Sequence, residues 1–319
     1  MRIVVVAFCL VLLFGEARPA SAQPADEPST ETGRRIALSF DDAPRGDGPV
    51  LSGEARTQAL LTALEAGGID TAVFFVTTRG LETASGRARI ARYAEAGHLI
   101  ANHTHRHAWL SRIGAADYIA DIDRASALLE GFSNRRDWFR FPFLDEGNTR
   151  ELRDELRAAL AERGQFNGYV TVDNYDWHID RRWREAVRAG RPVDREALGR
   201  AYVEVLLGAV EFYDAIAVEA LGRSPAHILL LHENDMAAHY IEDLAAALRE
   251  EGWTIISPDE AYADPMAAIL PQTLMTRQGH VAALAVEAGR DPRTLDHLAI
   301  DEARIDALLE ERGVFGAAD

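Results

Sequence analysis

The 319-residue chain contains no lysine: every basic side chain is an arginine or a histidine, and Lys plus Arg number 34 against 51 Asp plus Glu. The formal net charge is −17. A surface this acidic repels phosphate backbones and anionic lipid headgroups, which argues against nucleic acid and membrane surfaces as partners and leaves neutral carbohydrate open. Cysteine is almost absent as well. Cys9 is the only one, with no lipobox-like residues before it, so the fold has no disulfide to rely on and its core has to suffice. Long apolar runs are equally scarce. The one that stands out, residues 3–14, is shorter than a bilayer span.

Arg2 precedes that run and Ala20-Ser21-Ala22 follows it, the charged, apolar and small-residue order of a secretory signal peptide cleaved before Gln23. An uncleaved N-terminal anchor is the alternative. Cleavage removes Cys9 together with Arg2, Glu16 and Arg18, leaving a thiol-free chain one unit more negative. The expectation is therefore export, to a bacterial periplasm, with no membrane span after cleavage. Residues 23–33, rich in Pro, Ser, Thr and acidic side chains, read as a flexible lead-in.

From residue 34 onward short apolar runs alternate with helical patterns. Strands are expected at 35–40, 71–76, 99–101, 138–141, 169–172, 227–231 and 254–256. Between them apolar residues recur at three- and four-residue spacing, as in Tyr118, Ile122, Leu128 and Leu129. About seven strand–helix units predict an α/β fold, a distorted (β/α)7-type barrel with a parallel sheet. A helix over 198–221, ended by Gly222 and Pro225, lies in an unusually long connection. It reads better as a barrel helix with an inserted turn than as a subdomain. After Tyr262 strand signals cease, and helices over 274–288 and 295–312 predict a C-terminal helical extension, 263–319, packed on the barrel domain of 34–262.

In such barrels chemistry sits at the C-terminal ends of the strands, so polar groups are sought just after each apolar run. The first run delivers Asp41-Asp42, whose adjacent carboxylates point different ways, one free for a metal and the other for substrate; an ordinary strand-to-turn transition has the same composition. After the third come His103 and His107, whose i, i+4 spacing puts both imidazoles on one face of a helical turn. A surface histidine cluster is the alternative, and His105, out of phase, is a bystander. One carboxylate plus two imidazoles leaves metal positions open for water and substrate. Arg140 beside Pro142, Asp173 and Trp177 after Val172, and His232 after Leu231 occupy three further strand ends. Singly these read as a surface ion pair, core packing and a satisfied core histidine; together they read as a site.

In this order the chain resembles the polysaccharide deacetylases with a NodB homology domain, carbohydrate esterase family 4, over about residues 35–262. Ser39-Phe40-Asp41-Asp42-Ala43-Pro44 is similar to Thr-Phe-Asp-Asp-Gly-Pro, and His103-Thr104-His105-Arg106-His107 to His-Ser/Thr-x-x-His. Arg140-Phe141-Pro142-Phe143 resembles Arg-x-Pro-Tyr, Asp173 to Trp177 fits Asp-x-x-x-Trp, and Leu230-Leu231-His232 fits Leu-x-His. The resemblance implies Asp42, His103 and His107 as ligands of Zn2+, or of Co2+ or Ni2+. It implies Asp41 as general base, Arg140 as its orienting partner, and His232 as general acid with Asp173 raising its pKa through a hydrogen bond. It also implies Pro142, Phe143, Trp177 and Leu230 as the substrate groove, with a backbone N–H near Phe143 at the oxyanion.

The implied partner is an acetylated polysaccharide or oligosaccharide, and the implied reaction is N-acetyl hydrolysis on a β-1,4-linked aminosugar of the peptidoglycan or chitin type. O-deacetylation of xylan, hydrolysis of a small amide, and glycan binding without catalysis are the alternatives. Ala43 for glycine, Phe143 for tyrosine, Glu233 where Asp is common, and the insertion at 144–147 depart from the family pattern and bear on substrate rather than reaction.

Overall fold

A computed structural model describes residues 33–317; the expected signal peptide and most of the lead-in lie outside the described residues. In chain order the elements are β1 (Arg34–Ala43), α1 (Gly53–Ala66), β2 (Val73–Val76), α2 (Ala84–Glu95), β3 (Leu99–Asn102), α3 (Leu110–Ile113), α4 (Ala115–Leu129), β4 (Arg135–Phe139) and α5 (Arg150–Glu162). They continue with β5 (Phe166–Asn167), α6 (Asp176–Arg188), α7 (Arg195–Leu221), β6 (Ala226–His232), α8 (Asp235–Glu250), β7 (Trp253–Ile255), α9 (Pro258–Tyr262), α10 (Gly279–Glu287) and α11 (Glu302–Glu311).

All strand pairs are parallel, in the order β5-β4-β3-β2-β1-β6. Ile36, Ala37, Leu38 and Phe40 of β1 are fully buried, because a central parallel strand is covered on both faces and so reads as a continuous apolar run. β7 pairs with the start of β1, at Arg34 to Ile36, and β2 takes over from Ser39 on. The sheet closes through a single stretch of chain. Phe166 and Asn167 pair with Trp138 and Phe139 of β4; a few residues later Thr171 and Val172 donate to the Ile228 carbonyl of β6, and Val172 bridges Leu229. This is the expected distorted α/β barrel. The strand expected at 169–172 is reduced to that bridge, since the chain here crosses from one sheet edge to the other instead of running along either.

Helix ends follow local chemistry. Asp194 caps α7 by accepting from Ala197 N–H, and Gly222 closes it in the left-handed region at φ 73°. α7 begins at Arg195, three residues before the expected start, and a second helix in the same connection, α6, went unrecognised in the sequence because its long charged face masks its apolar one. The two C-terminal helices are shorter than expected: the first starts only at Gly279, and the turn at Leu298–Ile300 delays the second to Glu302. α10 packs on α7, and Asp194 N–H donates to Val314 O. No helix among the described residues is long and apolar enough to cross a membrane.

Candidate active site

The parallel strands leave their C-terminal ends on one side of the barrel, and the loops there line an open cleft of about 680 Å³. β1 supplies Asp41 and Asp42. Asp41 is buried and its Oδ1 accepts from Arg140 Nη1 at 2.8 Å. Arg140 is fully buried, and its remaining donors are satisfied by Gly168 O at 2.6 Å, Ser39 Oγ at 3.0 Å and Tyr262 Oη at 3.0 Å, while the guanidinium lies 4.0 Å from the Phe75 ring centre. A Cβ at position 168 would meet that Phe75 ring at 2.5 Å, so only glycine lets the chain approach closely enough to receive the arginine. Arg140 is thus a rigid support behind Asp41, and does not itself line the cleft.

The histidine ligand candidates do not sit on a helical turn, contrary to the expectation from their spacing. The stretch from 103 to 107 is an irregular loop, with Thr104 at φ 65° and His107 at φ 56°. Side chains, not helical carbonyls, satisfy its backbone: Asn102 Oδ1 accepts from Thr104 N–H, Asp121 Oδ2 from His105 and Arg106 N–H, and Thr104 Oγ1 from His107 N–H. The loop nevertheless brings the imidazoles together, with ring centres 4.9 Å apart. His107 Nε2 lies 3.1 Å and His103 Nε2 3.8 Å from Asp42 Oδ1, and one ligating atom from each of the three residues falls within 4.8 Å of the others. His105 turns away, toward Thr78 Oγ1 and Glu82.

Asp42, His103 and His107 suit a divalent cation. His103 Nδ1 lies 2.9 Å from the Arg140 carbonyl, to which it donates, so its Nε2 lone pair faces Asp42; that outer hydrogen bond is the usual device for orienting a ligating imidazole. Burial pushes both histidines down to about 4, against the raising influence of Asp42, so both are neutral and able to ligate at neutral pH. Burial alone would raise Asp42, but His107, His232, His103 and Arg45 hold it below the usual carboxylate range. Two imidazoles and one carboxylate form a donor set that zinc accepts with positions left open. Asp41 behaves differently from its neighbour: burial lifts it to about 6 in spite of Arg140 and His232.

On the other side of the site stands His232, at the end of β6. Its Nδ1 lies 2.6 Å from Asp176 Oδ1, not from Asp173. This corrects the expected pairing. Asp176 opens α6, and its Oδ2 accepts from His232 N–H and Asn234 Nδ2, so the carboxylate is locked against the end of β6. Burial lowers His232, but Asp176, Asp42 and Asp41 outweigh it and raise the imidazole to about 9. Asp173 lines the cleft separately, and burial lifts it to about 7 despite the Asn174 N–H it accepts. The sequence signal for Asp176 was its place just before Trp177 and three residues after Asp173, but without the helix start at 176 nothing ranked it first.

Of the expected groove residues, Phe143, Trp177 and Leu230 line the cleft; Pro142 is buried and does not. Phe143 stacks on Trp109 at 4.0 Å and 7° and meets the His107 ring at 4.5 Å; Trp109 had not been singled out. Glu233 is fully buried, its Oε1 accepting from Arg89 Nη2 and Tyr93 Oη and its Oε2 from Arg45 N–H, which pins the loop after β1. Among the described residues, the non-glycine residues with φ in the left-handed region are Asp42, at the end of β1, and Thr104, His107, Phe143 and Leu144, on the loops of the site. Each such residue costs roughly 1–3 kcal/mol, and such strain concentrates at functional sites. The position of Ala43 itself needs no positive φ, since the left-handed residue is Asp42.

Residues 29–161 match the family model of polysaccharide deacetylase. No relative among curated proteins matches the chain. Among solved structures it is similar to a mutant, with restored enzymatic activity, of a family 4 carbohydrate esterase pseudoenzyme from Bacillus anthracis. The TM-score is 0.50 and the identity 17%, covering 72% of this chain and 67% of that one. It is also similar to a family 4 carbohydrate esterase from Streptomyces lividans in complex with acetate (TM-score 0.45, 22% identity, 72% and 95% covered) and to a peptidoglycan deacetylase from Bacillus subtilis (0.47, 19%, 72% and 90%). At these identities the likeness is one of fold, carried by the first of the three.

Proposed function

We propose, from a chain whose residues 29–161 match the polysaccharide deacetylase family model, that it is an exported, metal-dependent hydrolase removing N-acetyl groups from a β-1,4-linked aminosugar polymer or oligomer of the peptidoglycan or chitin type. One observation carries the reading: a cleft that holds a cation-ready Asp–His–His triad, a buried carboxylate and a carboxylate-bound histidine together.

Asp42, His103 and His107 would hold the cation, whose contribution when bound is to polarise the acyl carbonyl and lower the pKa of water. Asp41 is the general base. Its carboxylate is immobilised by Arg140 and, at about 6, accepts a proton from the attacking water near neutral pH without being a base too weak to compete. His232 is the general acid. With Nδ1 committed to Asp176, its Nε2 proton is the one delivered to the departing amine as the C–N bond breaks. Two titrating groups pushed to opposite protonation states by their surroundings are what acid–base pairs require. Leu230, Trp177, Phe143 and Trp109 give apolar and aromatic surface for a sugar face and an acetyl methyl.

The purified protein, reconstituted with zinc or cobalt, is expected to release acetate from acetylated chito-oligomers or peptidoglycan strands, and faster than from O-acetyl xylan. No acetate from any of these, with metal bound, would remove the assignment. Asp176→Asn is expected to move the alkaline limb of the pH–rate profile. His232 has to be protonated to act, so rate falls as pH rises through its pKa. Of the carboxylates around it, Asp176, Asp41, Asp42 and Asp173, only Asp176 is hydrogen-bonded to the ring. Removing that charge lets burial prevail, and the limb shifts to lower pH by about 1–2 units. A profile that does not move would mean another group sets that limb.

A further inference from the structure

A second cavity lies where the sheet is interrupted. β5 is two residues long before the chain crosses to β6, and beside it is a pocket of about 430 Å³ that shares no lining residue with the cleft. Trp138 of β4, Leu160 of α5 and Tyr262 of α9 line it, and the C-terminal extension completes it with Leu270, Pro271 and His280. Tyr262 stands between the two sites: its ring centre is 4.5 Å from that of Trp138, and its Oη is bonded to Arg140, the support behind Asp41. Of the large apolar side chains exposed among the described residues, the two most exposed, Phe166 at 67% and Leu270 at 57%, both line this pocket. Single exposed apolar side chains are ordinary, whereas apolar groups gathered around a concavity mark a binding site.

Two polar atoms of its lining have no partner. Tyr169 and Gln165 are each more than nine-tenths buried, yet Tyr169 Oη and Gln165 Oε1 make no hydrogen bond, while Gln165 Nε2 donates to Ser126 Oγ. A buried polar atom left unpaired is costly, so both call for a bond from whatever fills the pocket. The charged groups, in contrast, are already satisfied. Glu146 and Arg157 pair at 3.1 Å, Asn167 Nδ2 donates to the same carboxylate, and the Arg157 guanidinium also donates to Pro271 O. Burial pushes His280 down to about 4 despite the Met266 and Ile269 carbonyls beside it, so that ring is neutral too. We propose that this pocket binds a small, uncharged, mainly apolar molecule carrying a hydroxyl or amide group, its apolar body among the aromatic walls and its polar end bonded to Gln165 Oε1 and Tyr169 Oη. An anion would find no unpaired cation there, and a sugar would leave most of its hydroxyls against apolar walls. The site goes beyond the deacetylase reading and does not depend on it.

The probe is 4-phenylphenol, with 4-phenylbenzoate as its anionic match, each titrated into the zinc-loaded protein by calorimetry. Expected is saturable one-to-one binding of the phenol, roughly tenfold tighter than the benzoate and not displaced by acetylated chito-oligomers. Tyr169→Phe removes a hydroxyl that bonds to nothing in the fold, so melting temperature should hold while affinity falls about three- to tenfold. Ala267→Phe places a ring inside the pocket and should abolish binding. If position 267 does not tolerate the ring and the melting temperature drops, Ala161→Phe fills the same pocket from an exposed position on α5. Binding is the readout, so a protein that releases no acetate can still uphold the site, and an active deacetylase can still lack it. The proposal is overturned by the absence of saturable binding to the folded wild type, by benzoate binding as tightly as the phenol, or by displacement with chito-oligomers. Binding that persists in a folded variant with the pocket filled overturns it as well, since the probe then sits elsewhere.

Discussion

Asp41→Asn is expected to lower acetate release by about 10²–10⁴-fold while zinc content stays at the wild-type level. Asparagine keeps the shape of the side chain and an oxygen that can accept from Arg140 Nη1, but it cannot take a proton. Asp42 lies beside both imidazoles, 3.1 Å from His107 Nε2 and 3.8 Å from His103 Nε2, whereas Asp41 approaches His103 alone, at 3.6 Å, and gives its other oxygen to the Arg140 guanidinium. The variant therefore separates proton transfer from metal binding. A stability cost is expected alongside. Arg140 loses its only carboxylate partner among the described residues and keeps the hydrogen bonds to Gly168, Ser39 and Tyr262, and breaking a buried pair costs about 3–5 kcal/mol when nothing compensates. Melting temperature, zinc by elemental analysis and acetate release measured on one preparation distinguish the outcomes. A folded, zinc-loaded Asn variant working within tenfold of wild type would exclude Asp41 as the base.

His103→Ala is expected to weaken cation binding by about 10²-fold or more and to abolish turnover with it. The ring is buried, neutral, and oriented by its bond to the Arg140 carbonyl, so it is committed to the site and has little else to do there. His105→Ala is the internal control: its ring bonds to Thr78 and faces Glu82, so metal content should be unchanged. Elemental analysis after dialysis against chelator-free buffer reads both. Equal zinc in the His103 variant and the wild type would show that the cation, if any, lies elsewhere.

Much of this site was legible before any coordinates. Buried parallel strands announce themselves as unbroken apolar runs, and the residue just past each run is where a barrel exposes side chains; Asp41, Asp42, His103, Arg140, Asp173 and His232 were found that way. The loops were not legible. His103 and His107 are four residues apart, which reads as a helical turn, yet Asn102 and Asp121 offer their carbonyl and carboxylate oxygens to the local N–H groups and win against helix formation. Positive φ at Asp42, Thr104, His107, Phe143 and Leu144 leaves no mark in the sequence, because residue types other than glycine give no sign of it.

The order of chemical groups along the chain, the parallel α/β architecture and the carboxylate–imidazole composition of the site followed from the sequence itself, because they depend on local pattern and on residue type. Which carboxylate holds His232 did not. Asp173 and Asp176 are equal candidates in one dimension, and only the start of α6, packed so that Asp176 accepts from His232 and Asn234 together, chooses between them.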